Sequence, residues 1–284
     1  MNDIISIVIN LDSRPGSREG KSAISSGTVH GTLSMDYFTD GVLNKIRFFE
    51  NAGFDLEVLL FMDIHENLPE DLLAALLKSH KDGQINDLVF HRHTENFITR
   101  IYPKWLDLCI LNGIISARGK YVAHFDQDMA AFIQDKSVIK EWVGWLEEDK
   151  YDYISYPSRW SPRPVNDPDF DYNWASSRFF FCKRDILDYS EMLKCLRSNE
   201  YLYGKYGEKK RKTPWLEHVM GIIAGPGKVF YPPIEPGRYL LFSWGQYCSG
   251  ILKKLNDMPY EKVAEYVRRC GGIAYPCDVR GRAI

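Results

Sequence analysis

The stretch Gly119-Lys120-Tyr121-Val122-Ala123-His124-Phe125-Asp126-Gln127-Asp128 runs an apolar segment straight into two carboxylates one residue apart. Its apolar run predicts a strand. A strand alternates its side chains, so Asp126 and Asp128 start on one face, and the turn that begins there can aim both at a shared oxygen-rich centre. Hard cations such as Mg²⁺ or Mn²⁺ combine one or two carboxylates with substrate phosphates instead of requiring an all-protein cage. Two carboxylates at a strand's end, with metal positions left open, therefore suggest a diphosphate-bearing substrate.

Asp-x-Asp by itself is a common turn and helix-cap pattern, so the flanking residues carry the specificity. Leu111-Asn112-Gly113-Ile114-Ile115-Ser116-Ala117-Arg118 reads as a helix stopped by Gly119 just ahead of the strand. In this context the chain resembles the GT-A glycosyltransferases, above all the large family 2 group. Their central signature is an Asn-Gly helix, a Gly-Lys/Glu-Tyr turn, a strand and then Asp-x-Asp. The resemblance runs from about Ile4 to Tyr231, with specific motifs near Asp126 and Glu217. It implies a Rossmann-like GT-A α/β/α sandwich with a mostly parallel central sheet. It also implies a Mn²⁺ or Mg²⁺ ion held through Asp126 and Asp128, and a nucleotide-sugar donor whose diphosphate that ion grips.

The rest of the chain alternates strands and helices in the α/β manner. Ile4 to Asn10 reads as the first strand, and a Ser- and Gly-rich loop leads to a helix from about Met35 to Ala52, ended by Gly53. Glu57 to Met62 is a second strand stopping at Asp63, Pro69 opens a short helix, and Asp87 to Arg92 is a third strand. Ligands of such sheets bind beyond the carboxyl ends of the strands, which makes Asn10, Asp12, Asp63 and Asp126 candidate donor-binding residues. The resemblance implies that Asp63, an acid ending the second strand, contacts the uracil or other base of the donor. An ordinary strand-end turn residue is the competing account of Asp63. After the first strand there is neither Gly-x-Gly-x-x-Gly nor Gly-x-x-x-x-Gly-Lys-Ser/Thr, which weighs against dinucleotide and P-loop binding.

Past Asp128 the expected elements are a helix from Asp135 to Glu148, a strand from Tyr153 to Tyr156 and a core strand within Ser177 to Asp185. The Pro- and Asp-rich stretch from Trp160 to Trp174 between them reads as a substrate-facing loop. Trp215-Leu216-Glu217-His218 matches the acceptor-side motif of the family, in which an acidic residue opens a helix and acts as general base. Inverting transfer needs a carboxylate within hydrogen-bond reach of the acceptor hydroxyl, opposite the leaving diphosphate, and Glu217 takes that role. Many relatives carry Glu-Asp or Asp-Asp where this chain has Glu-His. His218 is accordingly a candidate metal or phosphate ligand. The plainer account is a capped helix start with Glu217 in its first turn. Arg238 is a candidate partner of the leaving diphosphate, and Trp244 of an acceptor platform.

These readings divide the chain into a glycosyltransferase domain over 1–235, with a nucleotide-sugar-binding half (1–134) and an acceptor half (135–235), followed by a C-terminal extension over 236–284. A net charge of −2 leaves no basic footprint for nucleic acid. The N-terminal apolar run is too short to span a membrane and lacks the features of a signal peptide, and six scattered cysteines without a Cys-x-x-Cys pair fit reduced thiols. A cytoplasmic location follows as the expectation. The Lys- and Arg-rich stretch from Tyr201 to Lys212 is a solvated loop that could close over a diphosphate or meet anionic lipid headgroups at the inner membrane face. The acceptor class is a glycan or lipid-linked glycan, as in surface glycan or polysaccharide biosynthesis. Haloacid-dehalogenase-like phosphatases also end a strand in Asp-x-Asp, but near the N-terminus and followed by Thr or Val, whereas Met129-Ala130 follow here. An EF-hand fails at Ala130 and Ala131, where a ligand and a glycine are needed. A non-catalytic nucleotide-sugar-binding relative is the remaining alternative.

Overall fold

The computed structural model describes residues 3–12, 41–63, 70–91, 105–126, 129–156, 175–176, 178–192, 216–225, 227–232, 235, 237–243 and 249–269. Seven strands form the main sheet: β1 (Ile4–Asp12), β2 (Asp55–Asp63), β3 (Asp87–His91), β4 (Tyr121–Asp126), β6 (Tyr153–Ser155), β7 (Phe179–Lys183) and β8 (Val229–Phe230). Their order across the sheet is β3-β2-β1-β4-β7-β6-β8. β1 pairs in parallel with both β2 and β4, and β2 with β3. β7 alone runs opposite to its neighbours β4 and β6, and β8 returns parallel to β6. A second sheet pairs β5 (Met129–Ile133) antiparallel with β9 (Tyr239–Ser243).

The described helices are α1 (Leu43–Phe49), α2 (Glu70–Lys81), α3 (Trp105–Ser116), α4 (Ser137–Glu147), α5 (Leu216–Ala224), α6 (Ser249–Asn256) and α7 (Tyr260–Arg269). Both faces of the sheet are covered, so its strands are apolar on both sides and the period-2 alternation sorts residues between two cores. Ile5, Ile7 and Ile9 of β1 join one core with α1, α2, α4, α6, α7 and the small sheet. Val8 faces the other, together with Leu59, Val122, Phe180 and the buried sides of α3 and α5. This is the Rossmann-like α/β/α sandwich with a mostly parallel sheet that the sequence predicts.

Three local details set where the strands end. First, α1 stops sooner than Gly53 would stop it, because Asn51 already takes a left-handed φ of 61°. Second, α3 lies close against β1 and β2: a Cβ on Gly113 would run into Val8 Cγ1 and sit 3.3 Å from Phe61. Third, a buried polar staple fixes the turn from α3 into β4. Ser6 Oγ and the Arg118 guanidinium and backbone N–H all donate to the carboxylate of Glu57, and the Gly119 N–H donates to Ser6 Oγ at 2.8 Å. A Cβ on Gly119 would approach Ile4 O and Ser6 Oγ to 2.7 Å, so only glycine lets the chain pass there.

Tertiary packing also revises the small elements. The stretch after Asp128 carries no predicted strand, yet Met129 to Ile133 forms β5. Its partner β9 belongs to the segment assigned as an extension, and Leu252, Leu255, Val263 and Val267 of α6 and α7 are buried in the same core as β1. Asn44 ties the parts together, accepting from the Ala131 N–H at 2.8 Å and donating to Asn256 Oδ1 at 2.9 Å.

Candidate functional site

Parallel strands deliver their carboxyl ends to one edge of the sheet. In register there, Asp12 faces Asp63 across β1 and β2, and Asn10 faces Asp126 across β1 and β4. Neighbouring strands lie about 4.8 Å apart, so these four backbone positions occupy a short arc. β7 starts at the same edge, where the Asp126 N–H donates to Arg178 O at 2.8 Å. α5 leads through a short turn into β8, which is parallel to β6, so the C-terminal end of the helix lies near the start of β8. The backbones of Glu217 and His218 thus lie in the first turn of a helix covering the face that Val8 and Phe180 share.

Asp126 is half-buried at the last position of β4. Asn10 is 5 % exposed, and its Nδ2 donates to Nε2 of the fully buried His124 at 3.1 Å. The His124 ring stacks on Phe180 with centroids 5.1 Å apart and planes 18° from parallel. On β6, Ser155 Oγ donates to Phe179 O and accepts from the Ser176 N–H at 2.7 Å, docking the 175–176 segment over the sheet's end.

Of the residues named from sequence, register sets Asn10 beside Asp126, both with described side chains, and Asp12 beside Asp63; Glu217 and His218 open α5, and the side chains of Asp12, Asp63, Glu217 and His218 lie outside the described residues. Asp128 and Trp244 lie outside the described residues altogether. Among the described residues, no group of three or more His, Cys, Asp and Glu side chains that could hold a metal ion is present. The donor chemistry at Asp126 fits one arm of a hard-cation site, a partly exposed carboxylate at a strand's end.

Arg238 has a different setting from the one expected. Its guanidinium donates to Glu141 at 2.7 Å, Asp135 at 2.9 Å and Glu235 at 3.2 Å. These carboxylates, Glu141 first, raise its pKa further. The Ser137 hydroxyl and N–H, with Arg238, pull Asp135 down to about 2. Register puts Tyr239 opposite Ile133 and Ser243 opposite Met129, so Arg238 stands at the end of the small sheet remote from Met129, roughly 13 Å along β5 at 3.3 Å per residue. Arg238 therefore braces the small sheet against α4, away from the strand ends.

Reasoning from sequence left His124, Ser155 and Ser176 without a role. His124 has a visible signal, a lone imidazole at an alternate position of an apolar strand two residues before Asp126. Ser155 and Ser176 have none, because their hydrogen bond joins segments that the sequence separates.

No family model and no curated protein matches the chain. Solved structures do. S. aureus TarS is 12% identical with a TM-score of 0.42, matching 83% of this chain and 36% of its own. The galactosyltransferase LgtC, solved in complex with donor and acceptor sugar analogs, is 12% identical with a TM-score of 0.43 over 80% of this chain and 72% of its own. A Bacillus anthracis protein described as a glucose-1-phosphate thymidylyltransferase is 8% identical with a TM-score of 0.46, over 92% and 95%. This chain spans about a third of TarS and 56% of the TarS 1–349 fragment.

Proposed function

We propose that the chain is a metal-dependent glycosyltransferase that moves a sugar from a nucleotide-diphosphate donor, UDP-linked, to a hydroxyl of a glycan or lipid-linked glycan, with inversion, in surface glycan or polysaccharide assembly. The observation that supports this reading is the register that sets the strand ends bearing Asn10, Asp12, Asp63 and Asp126 side by side at the carboxyl edge of one parallel sheet. Open α/β sheets bind nucleotides at such an edge. The motif context of Asp126 and Asp128 supports the diphosphate assignment.

In this reading Asp126 and Asp128, with His218 as a further ligand, would hold a Mn²⁺ or Mg²⁺ ion, which would supply charge neutralisation for a diphosphate leaving group. Asp63 accepts a hydrogen bond from the base; a carboxylate only accepts, so it suits the N3–H of uracil and is poorly matched to the cytosine edge. Glu217 removes the proton from the acceptor hydroxyl as that oxygen attacks the anomeric carbon from the side opposite the diphosphate. No described helix is long and apolar enough to cross a membrane. The basic composition of the stretch from Tyr201 to Lys212 suits it to anionic headgroups around a lipid-linked acceptor.

A melting screen of nucleotide sugars with Mn²⁺ tests the reading, since a ligand bound only by the folded state raises the melting temperature by mass action. UDP-sugars should give the largest shift, and excess chelator should remove it. Asp128→Ala should abolish both the shift and turnover while the unliganded melting temperature stays near that of the parent, because a strand-end carboxylate contributes little packing. Full turnover by Asp128→Ala, or by the parent protein in chelator, would overturn the proposal.

A further inference from the structure

We infer that His124 is a positioning residue for the nucleotide site, acting through Asn10; this rests on the transferase reading above. Register places His124 beside Val8 of β1 and Phe180 of β7, with Leu59 next along the row. That row lies one pleat below the row of Asn10 and Asp126. His124 is fully buried and stacked on Phe180, a setting that an aliphatic or aromatic side chain would fill without desolvating two ring nitrogens.

The imidazole does one thing such a side chain could not. Its Nε2 pairs with Asn10 Nδ2 at 3.1 Å, which gives the Asn10 carboxamide a fixed buried partner. The terminal torsion of an asparagine is broad, and a single buried acceptor on one side selects one orientation of the amide. Asn10 sits in register with Asp126, next to the motif that the transferase reading assigns to the diphosphate. Holding its amide in one orientation prepares the floor of the site before a nucleoside diphosphate arrives, so less freedom is lost on binding.

The test compares variants of the full chain by calorimetric titration with uridine, cytidine, guanosine, adenosine and thymidine diphosphates, each with Mn²⁺, alongside melting curves. His124→Gln keeps an acceptor near the place of Nε2. His124→Asn is equally polar but one methylene shorter, and His124→Leu removes the acceptor. Whichever diphosphate binds the parent best should bind His124→Asn and His124→Leu about tenfold more weakly or worse, the effect of leaving the buried Asn10 amide without its acceptor. His124→Gln should stay within about threefold of the parent. Adding His124→Leu to Asn10→Leu should cost no further affinity, since the histidine acts through the asparagine. Parent-like affinity in His124→Leu, or in His124→Asn should the leucine variant fail to fold, would make His124 a core residue only and overturn this inference alone. Binding of none of the five diphosphates by the parent would overturn the transferase reading, and this inference with it.

Discussion

An acidic residue in the first turn of a helix has two physical uses, and Glu217 separates them. As a favourable partner of the helix dipole it contributes about 0.3–1 kcal/mol of stability and nothing to turnover. As the general base it contributes little stability and most of the rate. Glu217→Gln preserves shape and much of the hydrogen bonding while removing the proton acceptor, so kcat should fall by ~10²–10⁴ with donor affinity nearly unchanged. Normal kcat with a lowered melting temperature would remove Glu217 from the mechanism. Arg238 carries the opposite lesson: an arginine after a Pro- and Gly-rich turn reads as a phosphate ligand, yet three carboxylates from Asp135, Glu141 and Glu235 converge on it. Glu235 lies three residues away in sequence, but Asp135 and Glu141 lie 103 and 97 residues away.

At the scale of elements, the junction of α3 and β4 decides where Asp126 falls. Burial of Glu57 pushes its pKa up, but the donors Ser6, the Arg118 backbone and the Arg118 guanidinium outweigh that and hold it below 4.5. A carboxyl depressed in the folded state stabilises at pH above its unfolded value and loses that contribution as pH falls through the folded one. The parent protein should therefore melt higher than Glu57→Gln at neutral pH, and the gap should close as pH is lowered through and below 4.5. A gap independent of pH would show that the charge of Glu57 is not what stabilises the junction. Gly119→Ala should be worse than a surface glycine change: the added methyl meets backbone atoms of Ile4 and Ser6, which cannot rotate away. Overpacking of this kind costs about 1–3 kcal/mol, readable as a lower denaturation midpoint with an unchanged slope. Gly144, whose added Cβ would meet nothing within 4 Å, is the control expected to tolerate alanine.

For the whole molecule, the C-terminal segment behaves as part of the core. Leu252, Leu255, Val263 and Val267 are nearly inaccessible, and each such side chain contributes roughly 1.5–3 kcal/mol by burial. Together they contribute an amount comparable with the entire stability of an ordinary domain, about 5–15 kcal/mol. Deleting residues 249–284 should consequently abolish cooperative unfolding instead of leaving an intact nucleotide-binding half, as followed by calorimetry and near-UV dichroism. A truncated chain melting in one sharp transition near the parent temperature would show that the segment is an appendage. The strand pairing of β5 with β9 and the Asn44 bridge to Asn256 argue the same coupling through hydrogen bonds.

The sequence by itself determined the alternation of strands and helices, the strand into Asp126, the glycine stop at Gly119 and the acidic character of the strand ends, because each depends on residues within a few positions of one another. Periodicity and turn chemistry are local, and they survive any later arrangement of the chain. Only the tertiary structure decided that β7 runs against its neighbours, that β5 exists and pairs with β9, that Arg238 is bound by carboxylates and that His124 holds Asn10. Those outcomes join segments some 25 to 114 residues apart, from Ser155 and Phe180 to Asn10 and His124, and their stability comes from burial that no single segment possesses alone. Five-residue β5 is the clearest case, since Met129-Ala130-Ala131-Phe132-Ile133 becomes a strand only where β9 supplies its hydrogen bonds and α1 covers its face.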